Sequence, residues 1–138
     1  MTERMSDVEI QHYMALASEE LSAAQDNLRL GHLRASVSRS YYAMFYATTA
    51  VLGSRGLWRS KHQGVLSAFG ENFVKTGLIE PNYGRVLHSA FEARLDSDYG
   101  PHPDLDDESA QQLVSDANDF VARLARFLAS SNTEKDSS

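Results

Sequence analysis

Apolar residues recur along this chain at steps of three and four, the spacing of one helical face. Ile10, Met14, Ala17, Leu21, Ala24 and Leu28 fall on one face of a first helix, from about Asp7 to Leu30. Ser6 and Glu9 have capping-box spacing, so each side chain can satisfy a free backbone N–H of the first turn. Gly31 supplies a left-handed stop. A second helix is predicted from about His32 to Leu52, with Ala35, Ser38, Tyr42, Phe45, Thr49 and Leu52 on a shared face. A third, about Lys61 to Thr76, buries Val65, Leu66, Phe69 and Phe73. A fourth, about Pro81 to Ser97, carries Val86, Leu87, Ala90 and Phe91. The fifth, about Asp107 to Ala129, has the widest stripe: Ala110, Leu113, Val114, Ala117, Phe120, Val121, Leu124, Phe127 and Leu128. Asp106 is its expected N-cap.

Glycine and proline cluster between these segments and mark the breaks. No stretch shows sustained strand alternation, so the expected class is all-α. Long helices with short connections favour antiparallel neighbours. The expectation is an up-down antiparallel four-helix bundle of the first, second, fourth and fifth helices, with the shorter third packed on one end. Residues 1–129 form a single helical domain in this reading. Residues 130–138, small, polar and charged, are expected to be a flexible C-terminal tail.

Composition narrows the function. The chain has 138 residues, 42% of them hydrophobic and 23% charged, which suits one globular domain. It has no cysteine, which excludes disulfides, thiolate metal sites and a cysteine nucleophile. The formal net charge is −6, against a bulk-basic nucleic-acid binder but not against a local basic patch. No run approaches the ~20 apolar residues of a membrane span. The N-terminus MTERMSDVEIQ carries acids and is no signal peptide. A cytoplasmic protein with no membrane association is expected.

Walker, Rossmann and His-Glu-x-x-His motifs are absent. No histidine–carboxylate cluster has metal-ligand spacing, so neither a metal nor a cofactor is expected. Three segments stand out. Arg39-Ser40-Tyr41-Tyr42-Ala43-Met44-Phe45-Tyr46 packs four aromatics into six positions. It reads either as aromatic core or as an aromatic wall beside Arg39 that lines a nucleotide or RNA cleft. Tyr41 and Tyr42 cannot both point at the same core. Arg94 shares a face with Leu87, Ala90 and Phe91, where a guanidinium needs a partner. That partner is an aspartate such as Asp98, or a phosphate that suits the planar donor fork. His62 follows Arg55, Arg59 and Lys61 in the main basic cluster, read as a solvated loop or as a phosphate-contacting patch. His102 lies between two prolines in the loop after Tyr99.

The run from Ala35 to Ala47, with Ser38-Arg39-Ser40-Tyr41-Tyr42-Ala43-Met44-Phe45 at its centre, resembles the second helix of small stand-alone HEPN (higher eukaryotes and prokaryotes nucleotide-binding) domains. Lys61-His62-Gln63-Gly64-Val65, Phe73-Val74-Lys75-Thr76-Gly77-Leu78-Ile79, Arg94-x-x-x-Asp98-Tyr99 and Ala117-x-x-Phe120-Val121 fit the same subgroup in the same order. The resemblance spans about Asp7 to Leu128. It implies an all-α bundle that homodimerises in a prokaryotic toxin–antitoxin setting, with a minimal nucleotidyltransferase as antitoxin partner. It also implies metal-independent RNase chemistry in a cleft between two copies, where an arginine is followed after four to six residues by a histidine. Here Arg94 matches the arginine, but Tyr99 follows after four residues and His102 lies one residue beyond the window.

Two functional readings follow. In the first, the protein is an RNase with an atypical motif. Arg94 clamps phosphate, Tyr99 orients or stacks, and His102 transfers protons, with Arg39, Tyr42 and His62 binding nucleotide or RNA. In the second, the same residues serve a non-catalytic nucleotide- or protein-binding dimerisation module.

Overall fold

The computed structural model describes residues 3–99 and 105–137, with side chains described through Ser97 and again from Leu105 to Ser131. The chain forms α1 (Asp7–Arg29), α2 (Leu33–Ser54), α3 (His62–Phe69), α4 (Pro81–Tyr99) and α5 (Asp107–Ser137), with a π-helical segment Gly70–Val74 continuing α3. Among the described residues there is no strand. No helix is long and apolar enough to cross a membrane, among those residues.

Local signals set most of the ends. The Glu9 N–H donates to Ser6 Oγ at 3.2 Å and the Ser6 N–H donates to Glu9 Oε1 at 3.1 Å, which closes the capping box of α1. Gly31 stops α1 at φ +78°, in the left-handed region. The Ser109 N–H donates to Asp106 Oδ1 at 2.8 Å and starts α5. This bond holds the Asp106 carboxyl below its ordinary pKa. α5 then runs on through Ser137, past the expected end at Ala129. No glycine or proline follows Pro103, so nothing in the local sequence breaks the helix there.

α3 ends sooner than the spacing predicts. At Gly70 the helix widens, and the Lys75 N–H reaches back five residues to the Gly70 carbonyl at 2.8 Å. The Asn72 side-chain amide takes the Ala68 carbonyl at 2.9 Å. Phe73 thereby packs edge-on to Phe127 of α5, with centroids 5.4 Å apart.

The core is organised around α2, which touches α1, α3, α4 and α5. Ala17 and Ala24 of α1 and Ala43, Ala47 and Ala50 of α2 are fully buried. Small side chains there let the two backbones approach closely, and Ser36 Oγ donates across the gap to the Ala24 carbonyl at 2.9 Å. On α5 every member of the predicted stripe is buried. On α2 the predicted face holds at Thr49 and Leu52, which are buried, and is corrected elsewhere. Ala35 is exposed, while Ser38, Tyr42 and Phe45 are half-buried. The deeper face carries Val37, Tyr41, Met44 and Thr48. A helix enclosed by four neighbours is buried on several sides, so a single apolar stripe does not mark its inner face.

Candidate functional site

The half-buried edge of α2 meets the start of α3 and the last turns of α4. Arg34 of α2 donates to the Ser97 carbonyl at 2.8 Å and ties the end of α4 to α2. This brings Arg94 onto the aromatic run. Its guanidinium carbon lies 5.3 Å from the Tyr42 ring centroid and 5.7 Å from that of Tyr41. Both distances are cation–π contacts. The apolar stripe of α4 therefore delivers its arginine to two tyrosine faces. The expected pairing of Arg94 with Asp98 involves a side chain outside the described residues.

Tyr42 carries a second cation. The Arg39 guanidinium lies 5.2 Å from the same ring. Arg39 Nη1 donates to Glu20 Oε1 of α1 at 3.0 Å, and Glu20 Oε2 lies 2.8 Å away. The charge of Arg39 is thus answered inside the chain. Tyr46 lies in the same row, its centroid 6.1 Å from that of Tyr42. Burial, reinforced by the Glu20 carboxylate, raises the Tyr46 pKa.

Tyr41 turns the other way and is fully buried. Its hydroxyl lies 2.8 Å from His62 Nδ1. The His62 ring stacks on Phe45 with centroids 4.4 Å apart and 23° between planes. It meets Tyr42 edge-on at 5.9 Å, and Phe91 of α4 closes the far side at 6.3 Å. Burial first, and then the positive charge of Arg94, lower the His62 pKa below its ordinary value of 6.5. Burial drives the Tyr41 hydroxyl well above its ordinary value, with Arg94 opposing.

Of the predicted site residues, Arg39, Tyr42, His62 and Arg94 are therefore brought into one cluster. The Tyr99 side chain and the whole of His102 lie outside the described residues. The predicted basic cluster is dispersed. Arg55 lies over the Phe127 ring at 5.3 Å, and Arg59 turns back to the Leu57 and Trp58 carbonyls at 2.9 and 3.1 Å. His62 leaves its basic neighbours and enters the aromatic cluster. Phe45 belongs to the aromatic run read from the sequence as core or cleft wall; Glu20 and Phe91 were missed as parts of the site. They come from α1 and α4, and no local signal joined either to the aromatic run. Among the described residues, no group of three or more histidine, aspartate or glutamate side chains is placed to hold a metal ion.

What the arrangement can do follows from its parts. A guanidinium offers a planar donor fork to phosphate. The half-buried rings of Tyr42 and Tyr46 offer aromatic edges to a base. A neutral imidazole held by one nitrogen keeps the other for a ligand.

Comparison with known proteins matches the HEPN domain to residues 10–127. A UPF0332 protein of Thermotoga maritima is 34% identical over 119 residues, covering 86% of this chain and 90% of its own length. A Methanocaldococcus jannaschii protein named "Putative toxin MJ0605" is 36% identical over 120 residues, covering 87% of this chain and 89% of its own. The UPF0332 protein glr0978 of Gloeobacter violaceus is 34% identical over 122 residues, covering 88% and 97%.

Proposed function

The chain belongs to the HEPN domain family, and from that membership we propose that it is a toxin-like protein acting on RNA, a metal-independent RNase with Arg94 as phosphate clamp. The observation that carries this reading is the seat of Arg94 on the Tyr41 and Tyr42 rings, beside His62. The toxin name of the Methanocaldococcus jannaschii relative supports it at the level of the system.

RNA cleavage by its own 2′-hydroxyl needs three things: a group that takes the hydroxyl proton, a donor to the leaving oxygen, and positive charge on the phosphorane. Arg94 supplies the charge. Tyr42, half-buried between two guanidiniums, offers its remaining surface to a base. Tyr99, at the end of α4, orients or stacks on the substrate. Proton transfer falls to a histidine, and His62 and His102 are the candidates. Two copies meeting along this face form the cleft, and a minimal nucleotidyltransferase is the proposed antitoxin partner.

The test is cleavage of single-stranded RNA by the purified chain in chelator, beside Arg94→Ala and Arg94→Lys. Circular dichroism is recorded on all three. The expected outcome is cleavage by the wild type and a loss of about 10²–10³-fold in Arg94→Ala. Arg94→Lys recovers little, because an ammonium lacks the bidentate fork. No cleavage by any of the folded proteins favours the second reading, a non-catalytic nucleotide- or protein-binding dimerisation module. Tyr99 in the histidine position of the motif speaks for that reading.

A further inference from the structure

His62 has the surroundings of a working imidazole rather than of a filler. It opens α3 and sits half-buried among rings from two other helices. The Phe45 stack fixes the plane of its ring, and Tyr41 fixes the rotation of the ring in that plane through the 2.8 Å contact at Nδ1. The titratable and charged groups that face it are Tyr41 and Tyr42 from α2 and Arg94 from α4; Lys61 is its chain neighbour. Tyr41 cannot be the base itself. It is fully buried, and burial keeps its hydroxyl protonated.

We propose that His62 is the general base of RNA cleavage at the Arg94 site, with Tyr41 as its positioning residue, so that the imidazole comes from α3 and not from the end of α4. This rests on the RNA-cleaving reading above and names the proton acceptor that reading leaves open. In the tautomer protonated at Nδ1, His62 donates to the Tyr41 oxygen and holds a lone pair at Nε2. Nε2 takes the proton of the RNA 2′-hydroxyl. The 2′ oxygen bonds to phosphorus, and the bond from phosphorus to the 5′ oxygen breaks. The leaving 5′ oxygen takes a proton from water, and the imidazolium returns its proton to the hydroxide so formed. The products are a 2′,3′-cyclic phosphate and a 5′-hydroxyl, and the catalyst is restored. The imidazolium formed midway keeps the same Nδ1–H bond to Tyr41, so the ring does not reorient during the step.

The experiment uses the full chain and a labelled single-stranded RNA of mixed sequence. A 2′-O-methyl copy of that RNA binds but lacks the attacking hydroxyl. Rates are measured across pH for the wild type, Arg94→Ala, His62→Gln, His62→Ala, Tyr41→Phe and His102→Gln. His62→Gln should lose about 10²-fold or more in rate. It should bind the 2′-O-methyl copy as the wild type does, and it should lose the acid limb of the pH–rate profile. Added imidazole should restore part of the rate in His62→Ala, an effect that a structural role would not produce. Tyr41→Phe should keep an acid limb at a shifted pH, with a smaller loss. Should the glutamine variant fail to fold, the imidazole rescue and the Tyr41→Phe profile decide the matter. Full cleavage by folded His62→Gln, with Arg94→Ala inactive, overturns this inference and leaves the RNase reading standing. So does loss of the acid limb in His102→Gln instead. Weakened binding in His62→Gln that accounts for its whole rate loss makes His62 a ligand contact and overturns the assignment as base. A wild type that does not cleave RNA removes both readings together.

Discussion

The Tyr42 ring carries two guanidiniums, and Glu20 decides what one of them can do. Arg39 is held by that carboxylate within the protein, so it shapes the tyrosine face and adds little net charge to it. His62 is tuned by the same surroundings, and the tuning has a consequence for stability. A histidine whose pKa is lower folded than unfolded binds fewer protons in the native state, so folding is favoured as pH rises. This contribution is complete above the ordinary histidine pKa of 6.5 and is lost as pH falls through the lowered value. The expected outcome is a wild-type denaturation midpoint that drops between about pH 8 and about pH 5 more steeply than that of His62→Gln. Parallel urea titrations of the two proteins at each pH measure the difference. Equal slopes would mean that the imidazole titrates alike in both states. Arg39, Tyr42, His62 and Arg94 were each legible as unusual residues in their sequence context. Their union was not. His62 reaches Tyr41 across 21 positions of sequence, and Arg39 reaches Glu20 across 19. Helical spacing reports neighbours on one helix and is silent on which helices meet.

Among the elements, α1 and α5 were readable because each presents one side to the core, so the apolar stripe and the buried face coincide. α2 was not, because it is enclosed by four other helices and its inner face is made of alanine, serine, threonine and medium-sized aliphatics, with Tyr41 the one aromatic among them. Its other aromatics, Tyr42, Phe45 and Tyr46, sit half-buried at the rim, where the candidate site lies. The π-helical turn after α3 was also hidden, since periodicity over five residues cannot separate it from an α-turn. Helix ends gave stronger signals. Ser6 and Glu9 exchange bonds with each other's backbone, and the Met5 N–H also donates to the Gly53 carbonyl at the end of α2 at 2.8 Å. The start of α1 is thereby fixed both to itself and to its neighbour. Ser6→Ala is expected to lower unfolding free energy by about 1 kcal/mol. Glu9→Ala should cost less, and the double variant less than the sum, because the two bonds form one reciprocal unit. Chemical denaturation of the four proteins gives the coupling directly. Strict additivity would show that the box does not act as a unit.

Taken whole, the chain is acidic, with a formal net charge of −6, and this sets how it can hold a polyanion. A protein that grips RNA along a basic groove gains from counterion release at every neutralised phosphate. Here the charge balance opposes such a groove. Arg39 is paired with Glu20, and Arg123 donates to Glu80 Oε1 at 2.7 Å, which lowers the glutamate pKa and raises that of the arginine. The site proposed for RNA therefore contributes about one phosphate contact per copy, through Arg94, and about two if two copies share a strand. For single strands the logarithmic slope of affinity against salt is about −0.7 per phosphate neutralised. The expected slope thus lies between about −0.7 and about −1.4. The rest of the affinity then comes from uncharged contacts to the bases, which salt does not screen. Fluorescence anisotropy with the 2′-O-methyl RNA over a range of salt concentrations measures this slope. Arg94→Ala should flatten it by about 0.7 per copy. A slope of about −4 or steeper would mean six or more phosphate contacts. It would move the RNA off this face and onto the cations between α2 and α3, where Arg55, Arg59 and Lys61 stand.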